Sequence, residues 1–342
     1  MRIVVDAMGS DNRPVPDVAG AVAAAREFSD TIILVGDPQK IEAELAHHDL
    51  EGLSIEAVPA AEEITMTDKP SVVARGKPNS SMHVGMKLIK DGEGDAFVTC
   101  GNTGAALAIA TLQTLRRIPG VLRPALTTLL TIGEHRLILL DIGANADCKA
   151  EWLHQFAVMG SIYAERALGR PSPRVALLSN GEEEGKGNQL IKETAKLLAQ
   201  SSLNYIGNVE PKEMLGGQAD VVVTDGFVGN ITIKSMEALG DTLFGLIRSE
   251  LTGDLRSKVG ALLAKPAFRR VYRQVDPFEV GGAPLLGVNG VVIVGHGRTN
   301  AVGVKNAIRQ ARQAVAGQII EAIREGIAAY RFEQASAVED NR

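Results

Sequence analysis

The chain has 342 residues, of which 45% are hydrophobic, 23% charged and only 4% aromatic, and its formal net charge is -5. These values predict a globular protein with a large core, and they argue against a nucleic-acid-binding surface. Cys100 and Cys148 make no disulfide framework, no cluster of metal ligands is evident, and no apolar run reaches the roughly 20 residues of a membrane-spanning helix. We therefore expect a cytoplasmic protein whose membrane contact, if any, is peripheral.

The opening of the chain predicts a strand over residues 2–7, a polar loop, and a helix from about residue 18 to 28. Asp17 is a plausible cap of that helix. The polar segment 62–81 predicts a surface loop. Its basic residues between Lys69 and Lys77 suit either an acidic partner or a solvated surface.

A strand, a glycine loop and a helix are predicted between Asp95 and Leu115. The apolar run to Thr99 suits a buried strand, the glycines of 101–104 cannot continue it, and helix-forming residues follow. Backbone N–H groups at such a junction point to one spot, and the helix start adds partial positive charge. The junction therefore predicts a site for phosphate or another anion.

Four further loops of this kind follow predicted strands, at residues 143–145, 180–188, 225–230 and 295–300. The repetition predicts an α/β fold. In an open α/β sheet, loops at the carboxyl ends of parallel strands line one crevice. We therefore expect the five loops to converge on one ligand.

One segment that interrupts this pattern lies at residues 123–141. Two apolar runs around Gly133 and Glu134 predict an antiparallel strand pair there, and hence a mixed sheet that could pair with another subunit. The chain then closes with a long helix from Asn300 to about Gln334 and a frayed tail at 335–342. We treat residues 1–334 as one large domain.

The segment 251–276 is basic and amphipathic. Leu255, Val259, Leu262 and Leu263 form one apolar face, and Pro266 is expected to split the segment into two helices. Such a hairpin suits an anionic membrane surface or an acidic protein. The pattern alone favours a helix pair packed at a dimer interface with its basic face in solvent.

The loop side chains suit the binding of a phosphate and a developing oxyanion. Cys100 has no histidine near it in sequence and is expected to be a bystander. The conspicuous polar residues are Asn102, Thr103, Asn145, Lys186, Asn188, Asp225, Asn230, His296 and Arg298. They suggest a transfer in which phosphate is itself the nucleophile and the protein supplies position and polarisation, with no covalent intermediate.

Nucleotide-binding patterns fit poorly. No G-x-G-x-x-G opens a helix after the first strand, and Gly185 to Asn188 lacks the spacing and the Ser or Thr of a nucleotide-phosphate loop. Two alternatives to a transfer to phosphate are kept. One is a dehydrogenase of the isopropylmalate type, and the other is a non-catalytic scaffold that binds a carrier protein or a membrane.

Five motifs together resemble the PlsX family of bacterial phosphate acyltransferases, in order and over residues 2–328. They are V-D-A-M-G-S-D at 5–11, C-G-N-T-G-A at 100–105, L-D-I-G-A-N at 140–145, N-G-E-E-E-G-K-G-N at 180–188 and V-V-V-T-D-G-F-V-G-N at 221–230. Three departures occur, of which two lie in or just after the first motif: Ser10 replaces a glycine and Asn12 stands where the family often has histidine. Cys100 also replaces an alanine.

The resemblance implies a three-layer αβα sandwich with a mostly parallel mixed sheet, like that of phosphotransacetylase and isopropylmalate dehydrogenase. It implies a cofactor-free reaction in which an acyl-[acyl carrier protein] and inorganic phosphate give acyl phosphate for phosphatidic acid synthesis. It also implies a homodimer and peripheral contact of 251–276 with an anionic membrane, against the pattern-only preference.

The resemblance further implies that Lys186 and Asn230 lie closest to the chemistry. The predicted phosphate- and substrate-binding residues are Gly101, Asn102, Thr103, Gly104, Asn145, Asn188, Asp225, Gly229, His296 and Arg298.

Overall fold

The computed structural model describes residues 1–133 and 135–340, and it describes residues 273–275, 277 and 331–340 by their backbone alone. The strands are β1 Arg2–Asp6, β2 Thr31–Gly36, β3 Ile55–Pro59, β4 Ala96–Thr99, β5 Ala125–Ile132, β6 His135–Leu140, β7 Val175–Leu178, β8 Tyr205–Val209, β9 Val221–Val223, β10 Gly282–Leu286 and β11 Val291–Gly295. The helices are α1 Val15–Phe28, α2 Pro38–Leu45, α3 Pro70–Gly76, α4 Ser81–Lys90, α5 Thr103–Ala108, α6 Ala150–Leu168, α7 Gln189–Ala199, α8 Pro211–Leu215, α9 Gly226–Gly253, α10 Leu255–Val275, α11 Pro277–Val280, α12 Ala301–Ala316 and α13 Ile319–Asp340. A π-helical segment, Ile109–Gln113, continues α5.

The strands form one eleven-stranded sheet in the order β3-β2-β1-β4-β11-β10-β5-β6-β9-β7-β8. The five strands at one side are parallel to each other, and so are the four at the other side. Between them, β10 is antiparallel to β11 and β5, and β5 is antiparallel to β6. The predicted mixed sheet and its antiparallel pair are therefore confirmed, while Glu134 of the predicted turn lies outside the described residues.

Helices cover both faces of the sheet. Alternate strand residues point to opposite faces, so Ile3 and Val5 of β1 belong to the core cluster that includes residues of α1, α6, α12 and α13, while Val4 belongs to the cluster of the other face, which includes residues of α4 and α5. In the second half of the sheet, that other face is covered by α8 and the start of α9. The predicted three-layer αβα sandwich is confirmed.

Strand direction corrects one expectation about the loops. Because direction reverses between the two parallel sets, the carboxyl ends of β1, β4 and β11 point to one edge of the sheet, and those of β6, β7 and β9 point to the opposite edge. The premise that the five loops leave one common edge is therefore wrong, and their convergence on one ligand stays a prediction. β10 occurs late in the sequence but lies in the middle of the sheet, between β11 and β5. No local sequence pattern predicts that position.

Two helix predictions also need correction. Asp17 does not cap α1, because the helix begins at Val15 and places Asp17, buried, in its first turn. Pro16 suits that early start, since a proline is well accommodated in the first turn of a helix. The predicted single closing helix is broken at Gly317 and Gln318, where Gln318 has a φ of 51°. The helix after the break runs to Asp340, residues 341 and 342 lie outside the described residues, and the frayed tail stays a prediction.

The hairpin predicted at 251–276 has different bounds. Its first arm is the end of α9, its turn lies at Asp254, and its second arm is α10. Asp254 caps α10 by accepting hydrogen bonds from the N–H groups of Arg256 and Ser257 at 2.8 and 2.9 Å. Pro266 does not split the segment, because α10 continues through it. A proline removes one intrahelical bond, and the remaining turns of this 21-residue helix hold its course.

Candidate active site

The loops after β1 and β4 pack backbone against backbone around Asp6. This buried carboxylate accepts hydrogen bonds from the Thr99 hydroxyl at 2.7 Å and the Met8 N–H at 3.0 Å. Burial raises the pKa of Asp6. A Cβ at Gly9 would lie 2.9 Å from the Gly101 nitrogen, so only glycine permits this approach. The predicted phosphate loop is thereby held rigidly at its start.

Asn102 is a structural residue through its side chain. Its Oδ1 accepts the Ala105 N–H at 3.0 Å and caps α5. Its Nδ2 faces the carbonyl oxygens of Thr65, Met66 and Asp68 at 3.2, 3.4 and 3.1 Å. The amide therefore binds the 62–69 loop to the start of α5 and is not free for a ligand.

The neighbouring predicted residues are more open. Thr103 is exposed, and Gly104 packs against Pro70. His296 and Arg298, in the loop after β11, are both exposed, and the Arg298 N–H donates to His296 Nδ1 at 3.1 Å. Gly297 between them packs against Met66. The 62–69 loop thus meets both the β4 and the β11 loops at this edge.

The loop after β6 is organised around the buried Asp141. Its Oδ1 accepts the N–H groups of Leu126, Gly143 and Ala144 at 3.0–3.1 Å. Its Oδ2 accepts both the backbone N–H and the side-chain Nδ2 of Asn145, at 2.7 and 2.9 Å. Burial raises the pKa of Asp141, and these bonds oppose that shift. A carboxylate of the chain itself thus fills the anion nest predicted here.

The remaining predicted residues of this edge are also tightly held. Asn145 donates to the Pro124 carbonyl at 2.8 Å, and its own carbonyl accepts the Gly226 N–H at 2.8 Å. Asp225 caps α9 through the N–H groups of the two residues after Gly226. A Cβ at Gly229 would overlap the Asp141 carbonyl oxygen.

Asn230 bridges α9 and the β6 loop. Its Nδ2 donates to the Ile142 carbonyl at 3.0 Å and lies beside Gly143. An amide nitrogen carries two hydrogens, and this bond uses one of them. Ile142 and Ala144 also pack against the apolar cluster that contains Ala105 of α5. The two loop groups, namely the loops after β1, β4 and β11 and the loops after β6, β7 and β9, are therefore linked through one cluster.

Lys186 is the exposed cation of the β7 loop. Its Nζ lies 3.9 Å from the Glu183 carboxylate, a distance that gives little fixation at an exposed position. Its methylene groups lie against Gly181. Asn188 caps α7 by accepting the Ile191 N–H at 3.0 Å. Because β7 pairs with β9, the Lys186 loop belongs to the same edge as Asn230.

Two side chains near the β1 loop were not predicted as a pair. The Ser10 hydroxyl donates to Asp17 Oδ2 at 2.5 Å, while the buried Asp17 Oδ1 has no hydrogen-bond partner among the described residues. Burial raises the pKa of Asp17 to about 8, and Asp6 adds to the shift. Burial also raises the pKa of the nearby Cys100 thiol well above its usual range, which supports the bystander expectation. The sequence signal that could have indicated this pair was the serine at position 10, where the family pattern has glycine.

The exposed apolar face predicted on α10 is present. Leu255, Leu262 and Leu263 are 70–78% exposed, and Val259 is 54% exposed. A groove of about 1050 Å³ runs between α9 and α10, where Phe244 and Tyr272 meet edge to face at 5.3 Å.

No described helix has the length and apolar character to cross a membrane. In the described ranges, no three His, Cys, Asp or Glu side chains are grouped to hold a metal ion.

Comparison with known proteins decides the family. Residues 1–322 match the model of the fatty acid synthesis protein family. The chain belongs to this family. It is 46% identical over 325 residues to a phosphate acyltransferase of Trichlorobacter lovleyi, which covers 95% of this chain and 94% of the relative. A phosphate acyltransferase of Dictyoglomus thermophilum is 46% identical over 329 residues, with 96% and 98% covered. The resemblance to the PlsX family is thus confirmed.

Solved structures support the fold of this family member. A phosphotransacetylase from Streptococcus pyogenes matches with a TM-score of 0.62 at 18% identity, over 94% of each chain. A branched-chain phosphotransacylase from Enterococcus faecalis matches with a TM-score of 0.59 at 16% identity, over 92% of this chain and 99% of the other. At such identities the match establishes the shared architecture.

Proposed function

We propose that the protein transfers a fatty acyl group from acyl-[acyl carrier protein] to inorganic phosphate, giving acyl phosphate for phosphatidic acid and phospholipid synthesis. The observation that carries this proposal is the identity of 46–48% to phosphate acyltransferases over more than nine tenths of the chain. The chain is accordingly an acyltransferase. A phosphate oxygen attacks the thioester carbon, the carbon–sulfur bond breaks, and the carrier thiolate leaves and takes up a proton.

We assign the phosphate to the space between the two loop groups, which leave opposite edges of the sheet but are linked where Ile142 and Ala144 pack against the cluster of Ala105. The open side of the α5 start and the exposed Lys186 are the groups proposed to bind it.

Asn102 is already bound to the 62–69 loop, so the groups left for an anion there are the exposed Thr103 and the backbone beside Gly104. Lys186 is exposed and only loosely paired, which leaves its charge available. The second Nδ2 hydrogen of Asn230 is suited to the developing thioester oxyanion.

Replacing Lys186 tests its part in this assignment. Lys186→Ala should lower turnover by about two orders of magnitude, as the loss of one transition-state contact does. Lys192→Ala, at another exposed lysine on α7, is the matched control and should change turnover little. Equal kinetics of the two variants would remove Lys186 from the mechanism.

We also infer that the α9–α10 hairpin makes peripheral contact with an anionic membrane and contributes to a homodimer. Exposed leucines on α10 beside Lys258 and Lys265 fit a bilayer surface, since apolar burial and attraction to anionic lipid act together. Leu262→Glu with Leu263→Glu should reduce sedimentation with anionic vesicles. Ile206→Glu, at an exposed apolar residue of β8, should not. Light scattering of both variants reports whether the dimer persists.

The reaction itself is tested by thiol release from a long-chain acyl-[acyl carrier protein], with and without inorganic phosphate and without metal or nucleotide. Release that needs phosphate, with an acyl phosphate trapped by hydroxylamine, is the expected result. Release without phosphate would identify a thioesterase. Binding of the carrier protein without any release would favour the scaffold, and an absorbance change with NAD or NADP would favour the dehydrogenase.

A further inference from the structure

A stretch without any acidic residue joins the two loop groups. Between Asp95 and Glu134 the sequence contains three arginines and no aspartate or glutamate. The arginines, Arg116, Arg117 and Arg123, are all exposed in the connection between the π-helical segment and β5. Leu112 and Leu122, exposed by 55% and 42%, accompany them. We call these five side chains the arginine surface.

The arginine surface keeps its charge free. In the part of the chain that the structure describes, no carboxylate pairs with any of its three arginines, whereas Arg170 and Arg174 both bind Asp220. Arg123 lies over the Trp152 ring at 4.7 Å, which fixes the guanidinium without neutralising it.

The backbone beneath this surface is held at several points. Asn289 donates its Nδ2 to the Arg117 carbonyl at 2.8 Å and its N–H to the Arg116 carbonyl at 2.9 Å. Gln155 accepts the Leu122 N–H at 2.8 Å and donates to the Gly120 carbonyl at 3.1 Å. A surface ordered before binding loses little conformational entropy when a partner docks.

The arginine surface adjoins the second loop group directly. Pro124, the residue after Arg123, accepts the Nδ2 of Asn145, which in turn binds Asp141. A partner docked on the surface would therefore lie beside the loop to which Asn230 is bonded. The basic loop at 62–81 lies at the other edge, and its Lys77 is bound to Asp68 at 2.7 Å.

We propose that the arginine surface docks the acidic acyl carrier protein and directs its thioester toward Asn230. The proposal rests on the proposed function. Three arginines without a carboxylate partner among the described residues and two exposed leucines in the same segment match an acidic protein with an apolar contact point, and complementary charge speeds encounter.

The test is a charge reversal with matched controls. Arg116→Glu with Arg123→Glu should raise KM for acyl-[acyl carrier protein] at least about tenfold, weaken the salt dependence of kcat/KM, and leave kcat unchanged. Lys192→Glu with Lys196→Glu changes the same charge on α7 and should leave KM unchanged. Arg123→Lys retains the charge, so this variant should keep most of the affinity that the double variant loses.

Binding of labelled carrier protein, measured by fluorescence anisotropy, provides a readout that does not depend on turnover. An unchanged KM and affinity in the double variant, with phosphate-dependent release intact, would overturn the docking proposal and leave the proposed function standing. Absence of phosphate-dependent release in the unmodified protein would overturn the proposed function instead. Two further results would also overturn the docking proposal. One is that Lys69→Glu with Arg75→Glu weakens carrier affinity while Arg116→Glu with Arg123→Glu does not. The other is that Arg116→Glu with Arg123→Glu loses binding to anionic vesicles but keeps its affinity for the carrier protein.

Discussion

The pKa of Asp17 makes the stability of the folded protein depend on pH in an unusual direction. Burial raises this pKa from 3.8 to about 8, so the folded state binds a proton that the unfolded state has already lost. The stabilisation from that proton is fully present below pH 3.8 and is lost as the pH rises through about 8. Most buried carboxylates that are paired with cations show the opposite trend.

The magnitude follows from the shift. Each pKa unit corresponds to about 1.4 kcal/mol, so raising the pH from about 5 to about 8 should cost the folded state about 3 to 4 kcal/mol through Asp17 alone. Asp17→Asn stays neutral at every pH and removes this cost. The free energy of unfolding of the variant, relative to the unmodified protein, should therefore rise by about that amount across this range.

The assay is urea unfolding at several pH values. Asp147→Asn, at an exposed carboxylate, controls for the change of charge. Ser10→Ala removes the hydrogen bond that favours ionised Asp17, so it should move the pH dependence to higher pH. Parallel pH profiles for Asp17→Asn and the unmodified protein would refute the reasoning, because Asp17 would then be equally acidic in both states.

Two further predictions concern packing and acid stability. Gly229→Ala should destabilise the protein by several kcal/mol, because the added methyl overlaps the backbone of Asp141; Gly240→Ala in the same helix has open space and should stabilise it by up to about 1 kcal/mol. Thermal unfolding of the pair separates crowding from helix propensity. Burial lowers the pKa of His154 from 6.5 to about 4, so stability should fall as the pH drops below 6.5, by about 2 kcal/mol at about pH 5. His154→Leu should abolish that loss in urea unfolding, and an unchanged loss would place its origin elsewhere.

Local patterns predicted the units of the fold but not their arrangement. Short apolar runs followed by glycine loops identify β4 and β6 because buried strands and tight turns have strong composition rules. The insertion of β10 between β11 and β5 depends on contacts between residues more than 150 positions apart in sequence, such as Leu285 with Leu126. No periodicity encodes that pairing, so the reversal of strand direction and the separation of the loops could not be predicted.

The same limit explains which site residues could be recognised. Asparagine and aspartate at strand ends have two uses, ligand binding and helix capping, and the sequence does not distinguish them. In the structure Asn102, Asn188 and Asp225 all cap helices, and Asp141 fills a nest of backbone N–H groups. Their side chains fix the loops and leave the binding of a mobile anion to groups that remain exposed, Lys186 foremost. Replacing a capping residue should therefore lower stability and activity together, whereas replacing Lys186 should lower activity alone.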